Sequence, residues 1–330
     1  MLSYFARRIL VMIPTLLAIS LVVFVIIQLP PGDYLETLLA ELAAQGEKAD
    51  PAQIQFLREQ YGLDKPLIEQ YWLWLFGLLQ GDLGYSFEFE LPVIDVIGNR
   101  FWFTVLLALS TTFFTYALSF PIGIYSAVRQ YSITDHIFST LGYVGLATPN
   151  FLLALILMYL GQKWFGQSVG GLFSPEYQDA PWSWGRVGNL IEHLWVPVIV
   201  LGTSGTAYLI RTVRASTLDE LDKMYVMAAR AGGLSPMRLL LKYPVRMALN
   251  PIVATLGWRL TYVISGAPIV GVVMSLPDTG PLFLHALLNQ DMYLAGGMVL
   301  IFCAFTIIGT FISDLLLILV DPRIRMEGAS

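Results

Sequence analysis

The sequence predicts an all-α membrane protein with six transmembrane helices. Of its 330 residues, 56% are hydrophobic and 13% are charged, whereas about a quarter of the residues in a soluble domain are charged. Six apolar stretches approach or exceed the roughly 20 residues that a helix needs to cross a bilayer. They are residues 9–28, 101–127, 137–160, 194–210, 252–274 and 294–320. We therefore expect an integral membrane protein rather than a soluble enzyme with an anchor.

The first stretch follows Arg7 and Arg8, as the core of a signal peptide would. Its apolar run of residues 9–27 is longer than the roughly 7–15 residues of such a core, and no small-residue cleavage site follows it. We interpret residues 1–29 as a retained transmembrane helix with its N-terminal segment.

The lysines and arginines predict which side of the membrane each connection faces. If both termini are cytoplasmic, twelve of the nineteen basic residues lie inside, six lie outside and Arg259 lies within a span. Because short cytoplasmic connections are enriched in Lys and Arg, this distribution predicts cytoplasmic termini. It also places the long connection of residues 30–100 outside the membrane.

Three external connections separate the predicted spans. The first contains apolar residues at helical spacing in 51–57 and an aromatic-rich segment in 67–76. The second segment is expected either to lie on the outer membrane interface or to pack in a small external subdomain. The connection of residues 161–193 is expected to be irregular. A brief helix or re-entrant segment is expected within the connection of residues 275–293.

Prolines lie within several of the apolar stretches. Pro14, Pro121, Pro149 and Pro197 each interrupt a run that is otherwise helical. Because proline removes a backbone hydrogen bond, these positions predict kinked transmembrane helices.

The cytoplasmic connection of residues 211–250 has the pattern of two helices joined by a sharp corner. Apolar residues recur at helical spacing over 218–229, and Gly232-Gly233 is expected to end this helix. Ser235 is expected to cap a second helix that starts at Pro236. The pattern alone leaves two interpretations open: basic residues that meet lipid headgroups, or a rigid docking protrusion for a cytoplasmic partner.

Residues 225–234 resemble the conserved cytoplasmic loop of binding-protein-dependent ABC importers, in the form found in dipeptide and oligopeptide permeases. The triplet that opens this loop matches Met227, Ala228 and Ala229, and its glycine matches Gly233. Met227 replaces the glutamate of the general pattern, a residue that peptide permeases commonly lack. Further matches to this family are residues 4–8, 31–33, 63–66, 81–84, 251 and 321–325.

The resemblance implies the type I permease fold of ABC importers, with a five-helix core over residues 101–330. It also implies a coupling loop that docks on ATPase subunits. The residues expected to form this loop are Met227, Ala228, Ala229, Arg230, Ala231, Gly232, Gly233 and Leu234. Such a subunit would be a multi-pass protein of a bacterial or archaeal cytoplasmic membrane.

The resemblance further implies a set of partners. They are a second homologous permease subunit, two ABC ATPase subunits and an extracytoplasmic solute-binding protein, with the lipid bilayer around the permeases and no nucleic acid. The expected cargo is a peptide or a similar small solute. The same architecture also moves oligosaccharides, opines or nickel, and these substrates remain alternatives.

Motifs of catalysis are not found in the sequence. There is no phosphate-binding Gly-x-x-x-x-Gly-Lys-[Ser/Thr] motif, so ATP and magnesium are expected on the partner subunits and no cofactor is expected in this chain. The single cysteine, Cys303, and three scattered histidines lack metal-ligand spacing. We expect a subunit without enzymatic activity and without a metal site.

Two ionisable residues lie within the predicted spans, Arg259 and Asp314. We expect them at similar depths on the cytoplasmic half, either paired with each other or facing the transport pathway. An ion-coupled secondary transporter is the alternative of another class, although such proteins usually have more ionisable groups in the membrane. A membrane-embedded enzyme would also need more convergent polar residues than these spans contain.

Overall fold

A computed structural model describes residues 2–28, 65–86, 88–166 and 170–320. The side chains of residues 2–7, 165, 258 and 260–267 are outside the described set. The predicted helical segment 51–57 lies outside the described residues, as do the family matches at 31–33 and 321–325 and the first two residues of 63–66.

The described structure is helical except for one short hairpin. In chain order, its elements are α1 (Leu2–Gln28), α2 (Leu67–Leu79), β1 (Tyr85–Ser86), β2 (Leu91–Pro92), α3 (Val93–Val128), α4 (Ile133–Ala147), α5 (Asn150–Phe165), a 3₁₀ turn (Pro175–Tyr177), α6 (Trp184–Leu221), α7 (Met224–Ala231), α8 (Pro236–Lys242), α9 (Pro244–Ala254), α10 (Leu256–Val273), α11 (Thr279–Leu288) and α12 (Met292–Val320). The two strands pair antiparallel, with Tyr85 opposite Pro92.

Four of the described helices are long and apolar enough to cross a membrane: α1, α3, α6 and α12. The pair α4–α5 supplies a fifth candidate span if its two helices are counted together. The predicted fifth span, residues 252–274, falls on the end of α9 and on α10. The count of six spans and the cytoplasmic termini stay predictions.

The predicted third span, residues 137–160, is two helices rather than one kinked helix. α4 and α5 are bent by 105° at the break between them. Thr148 and Pro149 have extended backbone conformations, with ψ of 121° and 135°. A residue before proline is pushed out of the helical region by the proline ring, so the chain breaks here instead of bending slightly.

The helix α6 is longer than the predicted fourth span, residues 194–210. It has 38 residues, and the hydroxyl of Ser183 accepts a hydrogen bond from the backbone N–H of Arg186 at its start. In the most apolar 18-residue stretch of α6, 67% of the residues are buried, compared with 17% in that of α1. The first turns of α6 contain the buried polar residues Asn189 and His193 and the exposed Glu192, which hydropathy alone excludes from a span.

The chain divides into two compact units. The first comprises Met1–Ala6, Trp102–Pro281 and Phe305–Ser330, and the second comprises Arg7–Phe101 and Leu282–Ala304. A core cluster of the first unit is formed by Leu209, Val213 and Ile252.

The second unit contains α2, whose two faces have different surroundings. On one face, Trp74 packs against Phe24 of α1, and the Tyr71 hydroxyl lies 3.0 Å from the Ser20 hydroxyl. The other face is exposed and apolar, and it includes Ile68, Trp72 and Phe76. The segment therefore packs against α1, as a subdomain would, and also presents an apolar surface, as a helix at the membrane interface would. Both interpretations of this segment stay predictions.

Candidate functional site

The segment 224–242 forms two short helices joined by a corner, and we refer to it as the protrusion. α7 ends at Ala231, and Gly233 has a φ of 83°. Glycine adopts such left-handed conformations without steric cost. The N–H of Gly233 donates to the carbonyl of Arg230 at 3.0 Å, and the N–H of Leu234 donates to the carbonyl of Ala229 at 3.4 Å. These bonds satisfy carbonyls at the end of α7 and set the direction of the corner.

The second helix begins where the sequence predicts, but its cap differs. Ser235 occupies the N-cap position and Pro236 follows at the first helical position. The predicted side-chain cap is wrong, because the Ser235 hydroxyl makes no capping hydrogen bond. Ser235 is exposed, so water can solvate its hydroxyl and the first N–H groups of α8.

The protrusion does not continue the preceding helix. The sequence predicts one helix through residues 218–229, whereas α6 ends at Leu221 and α7 starts at Met224. Lys223 has an extended conformation and its carbonyl accepts the N–H of Val226 at 2.9 Å. The break between α6 and α7 therefore separates the protrusion from the long helix α6.

A side-chain contact bridges the break between α6 and α7. The hydroxyl of Tyr225 donates a hydrogen bond to the carboxylate of Glu220. Partial burial and then this contact with Glu220 raise the pKa of Tyr225 to about 12. The phenol therefore remains a neutral donor at physiological pH, and it ties the first turn of α7 to the last turn of α6.

The protrusion exposes several large apolar side chains. Within the protrusion, Val226 and Leu239 are buried, whereas Met224 and Met237 are 78% and 65% exposed. Met224, Met227 and Ala231 follow helical spacing and are all exposed, so they share one face of α7. Exposed apolar patches mark interaction surfaces, and methionine adapts well to a partner surface. Met224 and Met237 were not predicted as part of this surface, although apolar residues beside basic ones in a polar connection are a signal for it.

All eight predicted loop residues lie together in this protrusion. Met227 to Ala231 form the last turns of α7, and Gly232 to Leu234 form the corner. The basic residues Arg230, Arg238 and Lys242 of the protrusion are exposed. The geometry brings a short apolar helix face, a stiff corner and several positive charges to one place.

The two intramembrane ionisable residues are both buried. Arg259 is 5% exposed and Asp314 is 9% exposed. The guanidinium of Arg259 lies directly against Gly205 of α6, because a Cβ atom at Gly205 would be 1.7 Å from Nη2 of Arg259. The structure therefore adds Gly205 to this site. No local pattern predicts it, because its contact is 54 positions away in the chain.

The register of α10 and α12 positions Arg259 relative to Asp314. A Cβ at Gly257 would lie 2.6 Å from Cα of Thr310, and the hydroxyl of Ser313 donates to the carbonyl of Val253 at 2.5 Å. The segment 253–257, at the end of α9 and the start of α10, therefore runs antiparallel to α12 in close contact. In this register Arg259 and Asp314 are offset by about six positions, or about 9 Å along the helices. A direct ion pair would require an extended arginine side chain.

Metal ligands do not cluster in the described part of the chain. Within residues 2–28, 65–86, 88–166 and 170–320, no group of three or more His, Cys, Asp or Glu side chains could hold a metal ion.

Two family models match the chain and together reach almost from end to end. The model described as "Binding-protein-dependent transport system inner membrane component" matches residues 119–326. The model described as "Binding-prot-dependent transport system membrane comp, N-term" matches residues 1–108.

Individual relatives are similar over their full length. The oligopeptide transport system permease protein AppB of Bacillus subtilis is 33% identical over 98% of this chain and 100% of its own. The dipeptide transport system permease protein DppB of Escherichia coli K12 is 32% identical over 98% and 99%. The glutathione transport system permease protein GsiC of Pectobacterium atrosepticum is 34% identical over 99% and 100%.

A solved structure has a similar fold. A chain of the MetNI methionine ABC transporter, in an inward-facing conformation, aligns with a TM-score of 0.54 and 15% sequence identity. The alignment covers 69% of this chain and 97% of that chain.

Proposed function

The chain belongs to the family of binding-protein-dependent transport system inner membrane components, and we propose that it forms, with a second homologous permease, the path by which an ABC importer moves peptides. It is a multi-pass permease subunit of the bacterial cytoplasmic membrane with the type I permease fold, and ATP is hydrolysed by a separate subunit.

The protrusion is the observation that supports a coupling role most directly. A generic connection between spans needs neither a left-handed glycine at a corner nor two separate short helices on either side of it. A short stiff helix with exposed methionines can seat in a groove of a partner and transmit displacement, which a flexible loop cannot do. We assign the ATPase contact to Met227 through Leu234, and we add the exposed Met224 and Met237 to it.

The assembly that we propose contains two permeases, two ATPases and one extracytoplasmic solute-binding protein. ATP and magnesium bind to the ATPases. The binding protein contacts the outer face of the permeases, for which this chain offers residues 30–100 and 275–293. The described part of this outer surface includes α2, the β1–β2 hairpin and α11.

The cargo that we propose is a small peptide. The relatives similar over their full length are named as oligopeptide, dipeptide and glutathione permeases, and all three substrates contain peptide bonds. Oligosaccharides, opines and nickel remain alternatives. Mass spectrometry of the ligand that co-purifies with the binding protein would distinguish them from a peptide.

Cysteine cross-linking tests the docking assignment. Cys303 is the only cysteine in the chain, so a Cys303→Ser background allows single cysteines to be introduced at chosen positions. We expect Met227→Cys, labelled with a maleimide that carries a photoreactive benzophenone, to cross-link to the ATPase subunits on illumination, because Met227 is 46% exposed on α7.

The matched control is Trp184→Cys, a position 91% exposed at the opposite end of α6. We expect it to label with membrane-impermeant maleimide from outside and to give no ATPase adduct. An ATPase adduct at position 184 together with none at position 227 would reverse the orientation and remove the protrusion from the contact.

A further inference from the structure

A bidentate ion pair connects two helices close to the protrusion. Nε and Nη2 of Arg214 on α6 donate to Oδ1 and Oδ2 of Asp135 on α4, at 3.0 and 2.9 Å. The Asp135 side chain is 3% exposed and that of Arg214 is 25% exposed. Paired forks of this kind are stronger and more directional than single hydrogen bonds. The contact therefore specifies the relative orientation of the two helices.

Asp135 is also part of the turn between α3 and α4. Its Oδ2 accepts the N–H of Tyr131 at 2.9 Å, and its own N–H donates to the hydroxyl of Ser132 at 3.2 Å. Tyr131 has a φ of 63°, which is unusual for a residue with a side chain. One carboxylate thus holds the turn, the start of α4 and the arginine of α6 together.

N-terminal to Arg214, α6 packs so closely against α3 and α4 that the three helices have little freedom to move relative to one another. A Cβ at Gly123 of α3 would lie 2.6 Å from Cβ of Val213, the residue next to Arg214. A Cβ at Gly145 of α4 would lie 2.8 Å from Cγ2 of Thr203. Because close-packed helices resist independent displacement, α3, α4 and α6 are expected to move as one body.

The ion pair lies between the protrusion and this packed body. Arg214 is two helical turns before the end of α6, and the contact between Glu220 and Tyr225 connects that end to α7. A displacement of α7 would reach α6 through Tyr225 and Glu220. It can then pass to α4 and the α3–α4 turn through Arg214 and Asp135.

We propose that Asp135 and Arg214 are positioning residues that transmit movement of the protrusion to the membrane helices. The pair does not touch substrate or nucleotide. It keeps the cytoplasmic ends of α4 and α6 in register, so that displacement of α7 rotates the helix body instead of bending the end of α6. This inference rests on the proposed function, because it presupposes that a partner displaces the protrusion.

The test uses the complete importer reconstituted in proteoliposomes, with peptide uptake and ATP hydrolysis measured on the same preparation. Asp135→Asn keeps the shape of the side chain and can still accept the Tyr131 N–H, but it lacks the charge. Arg214→Gln lacks the fork, and Arg214→Lys keeps the charge without the fork. Since the pair serves transmission, we expect uptake per assembled complex to fall about tenfold in Asp135→Asn and Arg214→Gln, with ATP hydrolysis within about twofold of wild type.

The conservative variant and a matched control separate this role from general stability. Arg214→Lys is expected to recover part of the uptake lost in Arg214→Gln. Asp219→Asn changes an exposed carboxylate on the same helix, and we expect its ratio of uptake to hydrolysis to equal that of wild type. A merely structural role would lower uptake and hydrolysis together, in proportion to the amount of assembled complex.

A ratio of uptake to hydrolysis equal to wild type in both Asp135→Asn and Arg214→Gln overturns the inference, whatever the amount of complex. This result leaves the proposed function intact. If instead the wild-type importer shows no ATP-driven uptake, the proposed function itself is wrong, so the two failures are distinguishable.

Discussion

Arg259 is a charged residue inside the predicted fifth span, and the neighbouring helix α6 leaves space for its guanidinium. The guanidinium fits against α6 because position 205 is glycine. A charge at such a depth is costly unless it is paired or faces water, so its burial indicates a role in the permease. Asp314, similarly buried on α12, is the partner that we propose for it.

Assembly measurements on Arg259→Ala, Asp314→Ala and the double variant test this pairing. If the two side chains interact, the double variant should be less defective than the sum of the single defects. Gly205→Ala should resemble Arg259→Ala, since its methyl group would displace the guanidinium.

Gly188→Ala is the control for Gly205→Ala, because it lies on the same helix and a Cβ there meets nothing within 4 Å. We expect normal assembly of this variant. Strictly additive defects for Arg259→Ala and Asp314→Ala would argue against the pair.

Whether the role of a residue could be predicted depended on how far along the sequence its contacts lie. Gly233 could be predicted as a helix end because a left-handed corner is a local property of glycine. Gly205 could not be predicted, because only the folded chain brings Arg259 to it. The partnership of Asp135 and Arg214 was likewise hidden, although Ser132 followed three residues later by Asp135 is a recognisable helix start.

The protrusion is the element on which the coupling proposal depends. Its corner was predicted from two glycines, whereas the break at residues 222 and 223 was not, because apolar spacing continues through it. The same limitation explains α6, whose first turns contain polar residues that a hydropathy pattern assigns to a loop. Two of these residues, Asn189 and His193, are buried, and Asn189 accepts the backbone N–H of Ser174 at 2.8 Å.

Substitution of Gly233 tests the corner. Gly233→Pro removes the N–H that bonds Arg230 and cannot adopt a φ of 83°. We expect it to abolish transport while the chain still inserts, and we expect Ala229→Glu to do the same by placing a charge on the docking helix. The measurement is peptide uptake normalised to the amount of chain in the membrane.

Gly188→Ala is the control for Gly233→Pro, because Gly188 lies on α6, outside the residues that we assign to the ATPase contact. A Cβ there would meet nothing within 4 Å. Its uptake should be close to that of wild type. Normal ATP-driven uptake in both Gly233→Pro and Ala229→Glu would remove the protrusion from the mechanism.

The whole molecule combines several apolar helices long enough to span a membrane with the docking element that we propose at residues 224–242, and its sequence contains no nucleotide-binding motif. Composition alone predicted the membrane class, and the spread of motifs along the chain predicted the importer family. Family membership decides against the ion-coupled secondary transporter that the sequence left as an alternative. The cargo was less predictable, because the residues of one permease do not specify a substrate that a separate binding protein selects.

Transport by a defined set of subunits tests the central claim most directly. Proteoliposomes would contain either this chain alone or the complete importer with its second permease, ATPases and binding protein. Accumulation of a labelled peptide would be followed with and without ATP. We predict accumulation only for the complete importer supplied with ATP, whereas accumulation by this chain alone would contradict the account.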